Sequence, residues 1–162
     1  MMKPAYMYET WIRTTPERLW EALTSPAFTR LYFHAMTIES DWTPGAPVRF
    51  LYDDGRPGVE GEVLVVEPFT QLTYTWRFVF DEAYSRERPS RISFEIEQRG
   101  PSCRLRVIHD DFDADSLVLP MISAGWSSII CSLKSLLETG AALEIDDEEK
   151  GCGTDVTSES AA

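Results

Sequence analysis

The side chains in this 162-residue sequence that could do chemistry beyond packing are two histidines, three cysteines and five tryptophans. His109 closes an alternating run in register with Leu105 and Val107, so it points to the same side as they do. Asp111 follows in the same register. An inward imidazole at a cavity mouth could act as a general base with Asp111 as its orienter. The alternative is a structural histidine bonded to backbone or carboxylate. No nucleophile or metal partner stands near it in sequence, so no catalytic residue is nominated. His34 is too far from His109 to suggest a metal motif, and it reads as a cap or dipole partner behind a helix. Cys103, Cys131 and Cys152 are widely spaced, with no C-x-x-C pair. Reduced thiols in a cytoplasm are the expectation, and neither Cys103 nor Cys131 has the basic surroundings of a reactive thiolate.

Trp76 and Trp126 both fall on apolar registers and are read either as cavity walls or as core. Their indole N–H groups need partners if buried. Gly125, next to Trp126, costs about 1 kcal/mol relative to Ala in a helix. It implies either close packing against a sheet or room for a ligand.

The elements that must position these residues follow from periodicity. Tyr6 to Thr14 favours a strand. Thr15-Pro16-Glu17 and then Ser25-Pro26 mark the starts of two short helices carrying Leu19, Trp20 and Leu23, then Phe28, Leu31 and Tyr32. Six period-two segments follow, separated by Gly and Pro turns: around Met36–Ser40, Val48–Tyr52, Gly58–Glu67, Leu72–Phe80, Ile92–Glu97 and Leu105–Val107. Asp81–Ser90 reads as a long exposed hairpin loop. Arg91, Arg104 and Arg106 lie on outward registers with Glu95 and Glu97, where a cross-strand charge ladder is expected. From Pro120 to Glu138 the period changes to 3.6, and Gly140 supplies the stop. These elements form an α+β arrangement, a curved seven-stranded antiparallel sheet around one long helix, with a space between them suited to a ligand.

The net charge is −12. From Glu144 onward there are seven acids and one base, Lys150, so −6 belongs to that stretch and −6 to the rest. An acidic body excludes a phosphate-backbone or anionic-membrane binder. The sequence shows no apolar run of membrane-spanning length and no signal-peptide pattern at the start. The division expected is a domain over residues 1–141 and an acidic, disordered tail over 142–162.

The order of elements resembles the START-like, birch-pollen-allergen-like (SRPBCC) superfamily with its helix-grip fold. The local sequence more specifically resembles the branch named for the activator of the heat-shock-protein-90 ATPase (Aha) homologues. Pro16-Glu17-Arg18-Leu19-Trp20-Glu21-Ala22-Leu23-Thr24-Ser25-Pro26 is similar to that branch's P-x-x-V/L-W-x-A-L-T-x-P. Further matches are Glu39-Ser40-Asp41-Trp42-Thr43-Pro44-Gly45, Gly61-Glu62-Val63, Leu72-Thr73-Tyr74-Thr75-Trp76 and Gly125-Trp126. The last is Leu133-Lys134-Ser135-Leu136-Leu137-Glu138-Thr139-Gly140. The superfamily includes lipid and hormone carriers, polyketide aromatases and cyclases, and co-chaperones.

The expected function is binding of a hydrophobic or amphipathic small molecule between sheet and helix. Phe28, Tyr32, Phe50, Tyr52, Trp76, Phe78, Phe94, His109, Trp126 and Ile130 are the lining candidates. A co-chaperone-like interaction and a cyclase- or aromatase-type enzyme are the alternatives. No metal and no cofactor are expected. The partners foreseen are a lipid-like small molecule or a chaperone, with the chain a cytoplasmic monomer or homodimer.

Overall fold

A computed structural model describes residues 5–145. The elements are β1 Tyr6–Ile12, α1 Pro16–Thr24, α2 Pro26–Tyr32, β2 Thr37–Ser40, β3 Pro47–Leu51, β4 Pro57–Glu67 and β5 Gln71–Phe78. They continue with α3 Glu82–Ser85, β6 Ser90–Arg99, β7 Ser102–Asp110 and α4 Val118–Thr139. The strands form one antiparallel sheet in the order β1-β7-β6-β5-β4-β3-β2, curved around α4 in the helix-grip manner.

Local chemistry explains the boundaries. Thr15 caps α1 by accepting from the Arg18 N–H at 3.2 Å, Pro16 opens it, and Glu17 faces the positive end of its dipole. Ser25 precedes Pro26 in extended backbone and starts α2 without a side-chain bond. The α2 cap falls on Phe33 rather than on His34, whose backbone has already turned to a φ of 51°. The helix expected from Pro120 begins two residues earlier, at Val118. The first N–H groups of a helix have no intrahelical acceptor, so a proline in the first turn loses nothing. Gly140, at φ 88°, ends α4 in the left-handed region that glycine enters without a Cβ clash. Beyond it Ala142 packs on the core, and the Leu143 N–H donates to Ser132 Oγ at 3.2 Å. The expected acidic tail falls mostly on residues 146–162, outside the described residues.

Helices cover both edges of the sheet. At β1, Lys134 Nζ donates to the Trp11 carbonyl at 2.8 Å, and the Arg13 N–H donates to Glu138 Oε2 at 2.8 Å. At β2, the Ile38 N–H donates to Thr29 Oγ1 of α2 at 3.1 Å. Three backbone groups along these edges are thereby satisfied.

The two faces of the sheet divide by chemistry. The outer face carries the expected ladder, extended by Glu9 of β1. Arg104 meets Glu97 at 2.6 Å, and Arg106 meets Glu9 at 3.1 Å and Glu95 at 3.5 Å. Arg91 grips Asp110 with two bonds of 2.9 and 3.0 Å. The inner face supplies the core against α1, α2 and α4.

Candidate functional site

Alternation along β5 turns Leu72, Tyr74, Trp76 and Phe78 inward, and β3 and β6 add Phe50 and Phe94. From the other side α4 presents Trp126 and Ile130. Phe33, in the turn after α2, joins these parts. Its ring stacks on Phe50 at 4.5 Å and 20°, and meets Trp76 at 6.1 Å and Trp126 at 5.8 Å. Trp76 also lies 5.5 Å from each of Phe50, His109 and Trp126. Offset and edge-to-face contacts of this kind add to the burial of apolar area.

Between sheet and helix lies a void of about 10 Å³, lined by Leu23, Tyr32, Phe33, Phe50, Tyr74, Phe94, Trp126 and Ile130. That space holds one water at most. Two of its polar groups are engaged: Tyr32 Oη donates to the Ala22 carbonyl at 2.8 Å, and the Trp126 indole is taken by His109. Five of the residues foreseen as lining, Tyr32, Phe50, Phe94, Trp126 and Ile130, surround this void. Trp76, Phe78 and His109 sit behind it in the same buried cluster. Phe28 is half-buried on α2 with the Arg18 guanidinium 5.6 Å from its ring, and Tyr52 is half-buried just past β3 with Arg56 at 5.3 Å. Neither touches the void. The other three residues around the void, Leu23, Phe33 and Tyr74, are not among the expected lining residues. Tyr74 stood in the inward register of β5 and was legible there, whereas no periodicity marks Phe33 in a turn.

His109 is completely buried. Trp126 Nε1–H donates to its Nδ1 at 3.0 Å, and its Nε2 lies 2.8 Å from Ser90 Oγ. An indole N–H can only donate, so Nδ1 carries the lone pair and the proton of the neutral ring sits on Nε2. Nε2–H therefore donates to Ser90 Oγ, whose hydroxyl donates onward to the Trp76 carbonyl at 3.3 Å. This chain ties α4 to β7, β6 and β5. Burial pushes the imidazole down to about 3, which keeps it neutral. In that tautomer His109 cannot accept a proton from Ser90, so the pair is not arranged as an activated nucleophile. The expectation that Asp111 orients His109 is corrected. Asp111 leaves the strand at φ 65° and pairs with Arg88 at 3.0 Å.

The need of a buried indole for an acceptor is met for Trp126. Trp76 Nε1–H, also buried, has none among the described residues. Cys103 is enclosed and burial pushes its thiol up, so it is not a poised thiolate. Cys131 Sγ lies 3.4 Å from Tyr8 Oη. The described residues include no cluster of metal-ligating side chains and no helix long and apolar enough to cross a membrane. A second, open groove of about 380 Å³ runs along the β2 edge past Trp42, Asp41 and Arg49.

Comparison with known proteins gives the same architecture. A family model described as Activator of Hsp90 ATPase homolog 1-like protein matches residues 13–138. Protein MLL2253 from Mesorhizobium loti is 27% identical with a TM-score of 0.70, over 83% of this chain and 96% of that one. The Aha1 dimer from Colwellia psychrerythraea is 19% identical with a TM-score of 0.68, over 85% and 98% of the two chains. An HSP90 activator from Plasmodium falciparum is 20% identical with a TM-score of 0.61, over 76% and 87%. No curated protein matches the chain.

Proposed function

The chain belongs to the Activator of Hsp90 ATPase homolog 1-like family, and from that premise we propose that it binds a small, largely apolar molecule between the sheet and α4. The observation that carries this reading is the aromatic wall of Phe33, Phe50, Phe94 and Trp126 around a void whose Tyr32 and Trp126 polar groups are already engaged. Binding there expands the void, because about 10 Å³ admits one water and no organic ligand. Displacing the ring of Phe33, which lies at the end of α2 between Phe50 and Trp126, expands it. A ligand carrying one acceptor gains an extra bond if it reaches the Trp76 indole N–H. Native mass spectrometry of protein purified without denaturation, with a thermal-shift panel of fatty acids, sterols and planar aromatics, tests the reading. A ligand present at 100 times its Kd stabilises the fold by about 2.7 kcal/mol. If no member of the panel shifts the melting temperature, and none competes with an apolar fluorophore, the proposal fails.

The nearly filled interior favours a second reading, in which the surface does the work and the chain acts as a co-chaperone-like partner of a chaperone ATPase. Its measurement is ATPase stimulation by this chain added to the chaperone of its source cell, and an unchanged rate counts against it. The tautomer of His109 speaks against a cyclase- or aromatase-type reaction driven by that residue. Cytoplasmic residence belongs to the same proposal and is supported by the free thiols of Cys103 and Cys131.

A further inference from the structure

The segment between β7 and α4 is held from outside by the loop between β5 and β6. Glu87 accepts from the Leu117 N–H at 2.5 Å and from Ser116 Oγ at 2.6 Å, and that hydroxyl oxygen in turn accepts from the N–H groups of Val118 and Leu119. The first turn of α4 is thus capped by the Ser116 hydroxyl, which a carboxylate from another element holds in place near the end of the helix where the dipole favours negative charge. Next to it, Arg88 meets Asp111 at 3.0 Å and Asp113 at 3.2 Å, and its own N–H donates to Asp113 at 2.9 Å. Between Asp111 and Asp113, Phe112 is buried with its ring stacked on the His109 ring at 5.0 Å and 28°. Asp111 and Asp115 flank it at φ 65° and 57°. Aspartate enters that region more readily than most residues, so the backbone reverses at both points.

We infer that residues 111–117 form a latched lid. Phe112 is its plug over the His109–Trp126 pair, Glu87 and Arg88 are its clasps, and releasing them opens the interior to a small apolar molecule. This inference rests on the ligand-binding reading and adds the route by which the ligand arrives. The Arg88 ion pairs are exposed and individually weak, and the Glu87–Ser116 bond is only partly buried. The core behind them is buried and well packed. A local opening therefore disrupts the lid before it disrupts the sheet.

The test is solvent exchange of the Trp126 indole N–H in the 15N-labelled full chain, in wild type, Glu87→Gln and Arg88→Ala. The lid predicts that this proton exchanges at least tenfold faster than the slowest amides of β5–β7, and about tenfold faster again in each variant while those amides keep their rates. Exchange that tracks the slowest amides, or that rises in the variants only in step with them, overturns the lid, since global unfolding would then be its only route. If Arg88→Ala does not fold, Arg88→Lys keeps the charge, loses the two-carboxylate grip, and is read in the same way. Association of 8-anilinonaphthalene-1-sulfonate, followed by stopped flow, separates this inference from the reading beneath it. Faster association in the variants supports both. Faster indole exchange with no interior binding of the fluorophore supports the lid and overturns the ligand reading.

Discussion

The two faces of the sheet each carry a polar network, and their surroundings make them opposites. On the outer face, Glu9, Arg104, Arg106, Glu95 and Glu97 form many charged contacts open to water. On the inner face, Trp126, His109, Ser90 and the Trp76 carbonyl form a few neutral hydrogen bonds inside an aromatic shell. Solvent and salt screen the charges of the first, and each contact adds little beyond what water would supply. The second has no water to fall back on, so a missing partner costs the full desolvation of what remains. Enclosure rather than charge decides which network controls the fold.

Four measurements sharpen or break that comparison. Trp126→Ala removes a buried ring and leaves Nδ1 of His109 without a donor, and an expected loss of about 3–5 kcal/mol is read from urea unfolding. A loss below 1 kcal/mol would mean that the aromatic shell is not a packed core. Acid is the second perturbation. The unfolded imidazole titrates near 6.5 and the buried one at about 3. Between those values the unfolded chain binds a proton that the folded chain refuses, so stability falls as pH falls through that window. Its slope is about 1.4 kcal/mol per pH unit once the medium is well inside the window. Glu97 and Glu138, held low by Arg99 and Lys134, lose their partners' support in acid as well. The contribution of His109 is therefore the difference in slope between wild type and His109→Leu. Equal slopes would show that His109 is solvated.

Ser90→Ala is milder. It leaves Nε2–H without its acceptor, at a cost of about 1–3 kcal/mol, and thermal unfolding with calorimetry reads it. The smallest effect belongs to the outer face. Arg106→Ala is expected to cost less than about 1 kcal/mol, and the difference from wild type should shrink further at high salt. A salt-insensitive loss of several kcal/mol there would reverse the comparison.

Legibility in the sequence follows the same division. Alternation located the inward tryptophan of β5 and the outward arginines of β6 and β7, because the period of a strand decides the face of every side chain. It could also place His109 inward. It could not say who meets His109, since Trp126 lies seventeen positions away on α4 and Ser90 nineteen away on β6. Asp111 looked like the partner because it shares the register, but the chain leaves the strand at that residue and the register ends with it. Phe33 was invisible for a similar reason: a turn has no period, and only the packing of α2 against the sheet brings its ring into the centre. The latch between the 81–90 loop and the 111–117 segment has no local signature, and composition alone makes 81–90 an exposed loop. Its bonds join residues 25 and 30 positions apart that no local pattern links.

By itself the sequence determined the order of elements apart from the short α3, the start of α1 and the end of α4, the face of most strand residues and the family, because caps, turns and periodicity act over a few residues. Only the tertiary structure decided that the interior is nearly filled, that the histidine is a neutral link rather than a base, and that two loops clasp one another over it. Those properties depend on distances between side chains far apart along the chain, and such distances exist only once the sheet has closed on its helix.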